Sequence, residues 1–210
     1  MRIPAAGLRV LERAAFAAGA VLIGWVAWQL AAAQWYQHVE GRRLERWLAQ
    51  PAAPTALVDP AFHARLARAA SARHEPVGRL RIPRLGLSAV VAEGADEAIL
   101  ARAVGHLPRT AFPGERGNTV LAAHRDSFFR HLARLRRGDL IEIDTADGRF
   151  RYRVQGSSVV GPDHVEVSAA TRDATLTLIT CYPFEFIGPA PLRFVVRASL
   201  LPSRLAVSTG

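Results

Sequence analysis

Asp139-Leu140-Ile141-Glu142-Ile143-Asp144-Thr145, then Ala146-Asp147-Gly148, then Arg149-Phe150-Arg151-Tyr152-Arg153-Val154-Gln155: in this stretch Ile141 and Ile143 alternate with Glu142 and Asp144, and Phe150, Tyr152 and Val154 alternate with arginines. A period of two belongs to an extended chain with one buried face. Asp-Gly between two such runs is a hairpin turn signal. The stretch therefore predicts a β-hairpin, and with it a sheet. Arg79–Ile82, Leu87–Val91, Asn118–His124, Ala174–Cys181 and Leu192–Leu200 read as further strands on either side of it. Ala95–Val104 has helical spacing, and Phe128–Leu135 reads as a short helix ended by Gly138. Seven or eight short strands with few helices predict one all-β domain over residues 77–201, a closed barrel or a sandwich. Strand propensity does not choose between the two.

Upstream the pattern changes. No charged residue occurs from Ala14 to Gln37, and Leu22, Ile23, Trp25, Val26, Trp28 and Leu30 make the stretch apolar. As a helix it is about 36 Å long, enough for a hydrocarbon core of about 30 Å. Residues 14–36 are therefore expected to be a transmembrane anchor, with Trp35 and Tyr36 at the interface. Arg2, Arg9 and Arg13 precede it, which keeps residues 1–13 cytoplasmic and puts the bulk of the chain outside. A cleaved signal peptide ending near Ala31-Ala32-Ala33, or a buried core helix, are the competing readings. Residues 37–76 read as a spacer: Val39–Ala49 is helix-permissive, Pro51 and Pro54 interrupt it, Asp59-Pro60 opens a possible second helix through Arg68, and His63 and His74 are solvated. Residues 202–210 form a tail.

Composition narrows the function. The chain has 210 residues, 50% hydrophobic and 21% charged, and a net charge of +9. Disordered and collagen-like classes are excluded. The arginines are spread along the chain and form no dense basic face or arm, so no nucleic-acid partner is expected. Every basic residue is arginine, which excludes a Schiff-base lysine. A single cysteine excludes an intrachain disulfide. G-x-S-x-G, H-E-x-x-H, the G-x-x-x-x-G-K phosphate loop and C-x-x-C are all absent, and His164-Val165-Glu166 is half a deaminase signature without its cysteines. No metal and no cofactor is expected.

Cys181 ends the run Thr175-Leu176-Thr177-Leu178-Ile179-Thr180, just before Tyr182-Pro183. A strand end before a turn presents a sulfur at a rim and fixes it there. Outside the cell a free thiol is a liability unless it is buried or used. A thiol nucleophile needs a base and donors for an oxyanion. His124, at the end of its own apolar strand, is the candidate base, and Arg193, opening the last strand, the candidate donor.

These residues resemble a family. Thr177-Leu178-Ile179-Thr180-Cys181 matches the T-L-x-T-C signature of sortases, the membrane-anchored cysteine transpeptidases of bacterial surfaces. Ala123-His124-Arg125-Asp126-Ser127-Phe128-Phe129 is similar to their histidine segment, with Ala123 where many members carry Gly, and Arg193-Phe194-Val195-Val196 to their arginine strand. Gly105–Gly114 and Cys181-Tyr182-Pro183-Phe184 resemble segments common in class D and related members. The resemblance implies a closed eight-stranded β-barrel with short helices behind the transmembrane helix. It implies that Cys181 attacks the threonine carbonyl of an LPXTG-like sorting motif, that His124 acts as general acid then base, and that Arg193 and a backbone N–H after Cys181 hold the oxyanion. Thr180 is expected to bind substrate near the nucleophile. The expected partners are proteins bearing that motif, an amine acceptor on the cell envelope or a pilin, and membrane lipid around the anchor. The expected location is the bacterial plasma membrane, catalytic domain outside. A hydrophobic groove at Phe184, Phe186 and Ile187 is expected to slow hydrolysis. A sortase-like hydrolase and a non-catalytic anchored barrel are the alternatives.

Overall fold

A computed structural model describes residues 5–48, 76–186 and 188–202. Eight strands follow one another: β1 (Pro76–Ile82), β2 (Leu87–Glu93), β3 (Val104–His106), β4 (Asn118–Ala122), β5 (Leu140–Thr145), β6 (Gly148–Val160), β7 (Thr175–Tyr182) and β8 (Leu192–Leu200). They close in the order β1-β2-β3-β4-β7-β8-β6-β5, and β5 returns to β1. The β2–β3 and β4–β7 pairings are parallel and the rest antiparallel. Closure leaves no unpaired sheet edge, which decides for a barrel over a sandwich.

The hairpin that opened the sequence reading is β5–β6, with Thr145 opposite Gly148 and Ile141 opposite Tyr152. Its alternation is the barrel's inside and outside: Ile141, Ile143, Tyr152 and Val154 point into the core beside Leu80, Ile82, Leu121, Leu176, Leu178, Val196 and Ala198. The Tyr152 phenol accepts the Gly114 N–H at 2.8 Å, and burial pushes its pKa up. Strand β6 runs past Gln155, pairing with β8 from Tyr152 to Val160 across a register shift between Val154 and Gly156. Gly156-Ser157-Ser158 has no apolar alternation, so that extension left no signal in the sequence.

Two predicted helices shrink. Of Ala95–Val104 only α2 (Glu97–Leu100) is helical, because Val104 enters β3. Phe128–Leu135 forms turns and one 3-10 turn at Leu132–Arg134, in which the buried Phe129, Leu132 and Leu135 lie at the three-residue spacing of that geometry. The β3–β4 connection is pinned by His106, whose Nδ1 lies 2.6 Å from Glu93 and whose Nε2 lies 3.0 Å from the Ala111 carbonyl oxygen.

Helix α1 spans Ala5–Leu48 and does not stop at Tyr36. Within it Leu11–Arg46 is long and apolar enough to cross a membrane, and Leu22, Ile23, Trp25 and Trp28 stand exposed. Its last turns lie on the barrel. Gly41 and Leu44 are buried, and Glu45 pairs with Arg79 of β1 at 3.5 Å. This contact explains why Val90-Val91-Ala92 is apolar on both parities: Val91 faces the core, whereas Val90 and Ala92 face outward yet are fully covered. Tyr36, expected at the membrane interface, packs beneath the Arg102 guanidinium at 5.0 Å. The possible helix from Asp59 to Arg68, with His63 and His74, lies outside the described residues.

Candidate active site

The register of three strands assembles the site. On β7, Leu176 and Leu178 face the core, so Thr177, Ile179 and Cys181 face out. On β8, Phe194, Val196 and Ala198 face the core, so Arg193, Val195 and Arg197 face out. Cys181 is the cross-strand partner of Arg193. On β4 Leu121 faces the core, as does Ala123 just past the strand's end, and Ala122 is the partner of Ile179. One residue on, the Ala123 N–H still donates to the Ile179 carbonyl at 3.3 Å. Cys181 and Arg193 are thus cross-strand partners on the outer face, and His124 follows two residues after Ala122, the last β4 residue paired with β7. The rung below Cys181 is Ala122, Ile179 and Val195, an apolar floor.

Each side chain has its own environment. Cys181 is partly exposed. The Arg193 guanidinium uses one nitrogen, Nη1, to donate to the carbonyls of Ala190 (3.1 Å) and Leu192 (2.9 Å). His124 Nε2 lies 3.3 Å from Glu97 Oε1 of α2. Thr180 has the opposite parity to Cys181: it is 2% exposed and its hydroxyl donates to the Ala123 carbonyl at 2.8 Å. Its side chain therefore points away from the outer face, on the core parity of Leu176 and Leu178. It ties the end of β7 to the backbone just before His124.

Two connections wall this face. The β6–β7 connection crosses the far end, where Asn118 Nδ2 donates to the carbonyls of Val167 and Ala169, both at 3.1 Å, and Arg197 donates to Val167 at 3.3 Å. Here His164 and Glu166 pair with each other, and the hydrogen bond from His164 holds the Glu166 carboxyl below its ordinary range. Among the described residues no group of three or more His, Cys, Asp or Glu could hold a metal ion.

The β7–β8 connection stands beside Cys181, and Arg125 braces it. The Arg125 guanidinium donates to the carbonyls of Pro183 (3.1 Å) and Gly188 (2.8 Å) and lies 5.9 Å from the centre of the Phe186 ring. The sequence reading gave Arg125 no role of its own within the histidine segment; its place directly after the candidate base was the available signal. Phe184 turns toward the core rim, packing edge-on to Phe194 at 5.4 Å, whereas Phe186 is exposed and Ile187 lies outside the described residues. Arg125→Met keeps the side chain's bulk but removes both hydrogen bonds, each worth about 1 kcal/mol. Limited proteolysis should then cut first within residues 183–191, several-fold faster than in the unaltered chain. An unchanged cleavage rate would mean that Arg125 does not hold this connection.

Residues 80–201 match the family model described as the Sortase domain. The chain is similar to Sortase D of Bacillus subtilis (strain 168), with 33% identity over 120 residues that take in 57% of this chain and 61% of that relative. The match thus spans less than two thirds of that protein's length. Among solved structures the chain superposes on a Clostridium perfringens Sortase D5 transpeptidase with a TM-score of 0.66 and 24% identity, covering 79% of this chain and 98% of that one. It also superposes on Sortase E1 from Streptomyces coelicolor, solved with a tripeptide in the active site, with a TM-score of 0.56 and 30% identity over 61% of this chain and 89% of that one.

Proposed function

The chain belongs to the sortase family, and on that premise we propose that it is a membrane-anchored cysteine transpeptidase that cleaves an LPXTG-like sorting motif and passes the acyl group to an amine. The observation that supports this reading is the pairing of Cys181 with Arg193 on the outer face of β7 and β8, with His124 two residues beyond the end of the β4 register beside β7. A sulfur flanked by an imidazole and a guanidinium has a proton acceptor on one side and an anion partner on the other.

The reaction runs in two halves. His124 takes the thiol proton, and the Cys181 sulfur attacks the threonine carbonyl carbon, forming a C–S bond and an alkoxide. Arg193 and a backbone N–H after Cys181 hold that alkoxide. Its collapse breaks the peptide C–N bond, and His124 returns the proton to the leaving amine. The acceptor amine then attacks the thioester, His124 takes its proton, and Cys181 leaves as the product amide forms. The apolar floor of Ala122, Ile179 and Val195 suits side chains of an extended peptide, in keeping with the tripeptide held by the Streptomyces coelicolor relative. Residues 14–36 serve as the anchor in the bacterial plasma membrane and residues 77–201 as the catalytic barrel outside it. The acceptor lies on the cell envelope or on a pilin.

The test is to incubate the full chain in detergent micelles with a pentapeptide motif library and glycine or diaminopimelate amines, then identify products by mass. Peptide–amine products that form with the unaltered chain are the expected result. Free acids alone would make the protein a sortase-like hydrolase. No product with any motif would leave a non-catalytic anchored barrel.

A further inference from the structure

Glu97 has no place in the mechanism above, yet it is the carboxylate beside the catalytic imidazole. It opens α2, the one-turn helix in the connection between the parallel strands β2 and β3. Strand β3 in turn pairs with β4, so α2 stands over the end of β4 where His124 emerges. Glu97 Oε1 lies 3.3 Å from His124 Nε2, although the Glu97 side chain is 85% exposed. A solvent-exposed pair adds little to folding stability, at most about 1 kcal/mol. What it does supply is direction. A carboxylate accepting from Nε2–H selects one tautomer and one ring orientation, and leaves Nδ1 to exchange the proton with sulfur.

The position of Glu97 is held from both sides. From within, Asp96 accepts the Ile99 N–H at 3.0 Å, and Ile99 is buried with Ala92 and Ala103. The Gly94 N–H donates to the His106 carbonyl at 2.9 Å. Gly105 allows this approach, since a Cβ there would stand 2.4 Å from the Gly94 carbonyl oxygen. From outside, the anchor helix closes on the same segment. Gln37 Nε2 donates to the Arg102 carbonyl at 2.6 Å, and its Oε1 accepts the Val90 N–H at 3.0 Å. Tyr36 meanwhile lies under the Arg102 guanidinium. One side chain of α1 thus bridges β2 and the end of the α2 segment.

We propose that Glu97 is a positioning residue that orients the His124 imidazole, and that docking of the anchor helix through Gln37 holds α2 where Glu97 can reach it. The inference rests on the acid–base reading of His124, and it makes the membrane-proximal helix part of what keeps the site in order. The experiment uses the full chain in detergent micelles, labelled with ¹⁵N-histidine, the His124 ring resonances being identified by their loss in His124→Gln. Glu97→Gln should move those resonances and lower kcat for transfer roughly fivefold, with KM nearly unchanged and the melting temperature unaffected. Glu97→Asp, which keeps the charge, should recover part of the loss. Gln37→Ala should lower kcat as well, and combining it with Glu97→Gln should add almost nothing, because both changes break one chain of contacts. Unmoved ring resonances or an unchanged kcat in Glu97→Gln would overturn the role of Glu97. Fully additive losses would overturn the brace by Gln37. If the unaltered chain transfers no peptide to any amine, the acid–base reading falls, while the ring resonances still decide whether Glu97 orients His124.

Discussion

Cys181→Ala is expected to abolish formation of the thioacyl intermediate and all transfer, while the barrel melts as before. The sulfur is the proposed nucleophile and the chain's one thiol, and no lysine is available for covalent catalysis. The fold does not depend on it. Cys181 has the outward parity of β7, so its side chain is absent from the core that Leu176, Leu178, Val196 and Ala198 form below it. Its backbone pairing with Arg193 is indifferent to the side chain. The change removes one partly exposed atom and should cost less than about 1 kcal/mol. Mass spectrometry of the enzyme with bound peptide and thermal melting together make the measurement. Turnover that survives in this variant would remove Cys181 from the chemistry and the proposed function with it.

Arg193→Lys should lower kcat/KM by roughly 10²–10³ even though the charge is kept, the scale of losing one oxyanion donor. The reason lies in how the guanidinium is occupied. Nη1 is engaged with the carbonyls of Ala190 and Leu192, which fixes the plane of the fork at the start of β8. The remaining N–H groups of the same rigid plane can then point across the strand to Cys181. A lysine has a single nitrogen on a flexible stem. It can satisfy the loop carbonyls or face the oxyanion, and either choice forfeits the other. Single-turnover kinetics with a motif peptide would report the loss in the acylation step. Near-normal acylation by the lysine variant would make Arg193 a loop brace and nothing more.

Both predictions rest on strand parity, and parity was legible. The alternation in residues 139–155 located the β5–β6 hairpin and its core face, and the runs ending at Cys181 and beginning at Arg193 placed those two residues at strand ends. The apolar span in α1 was equally plain. Other features were not. Thr180 belongs to the same signature as Cys181, but adjacent residues of a strand point to opposite faces, and its hydroxyl went to Ala123 inside the barrel. Tyr36 reads as an interfacial aromatic until β1 and β2 cover one side of its helix and Arg102 lies over its ring. Glu97 reads as an ordinary first-turn acid of a short helix, since nothing local ties it to a histidine further along the chain.

The sequence by itself determined which residues alternate, where turns break the chain, and that a thiol, an imidazole and a guanidinium each stand at the end of an apolar run. Those are properties of a few consecutive residues, set by side-chain sterics and the two-residue period of extended backbone. Only the tertiary structure decided that β4 lies parallel to β7, with Ala122 beside Ile179, and that Cys181 faces Arg193. It also decided that α1 continues past the apolar span onto the barrel. Pairings between distant strands depend on closing every edge and filling one core at once, a condition on the whole chain that no short stretch of it expresses.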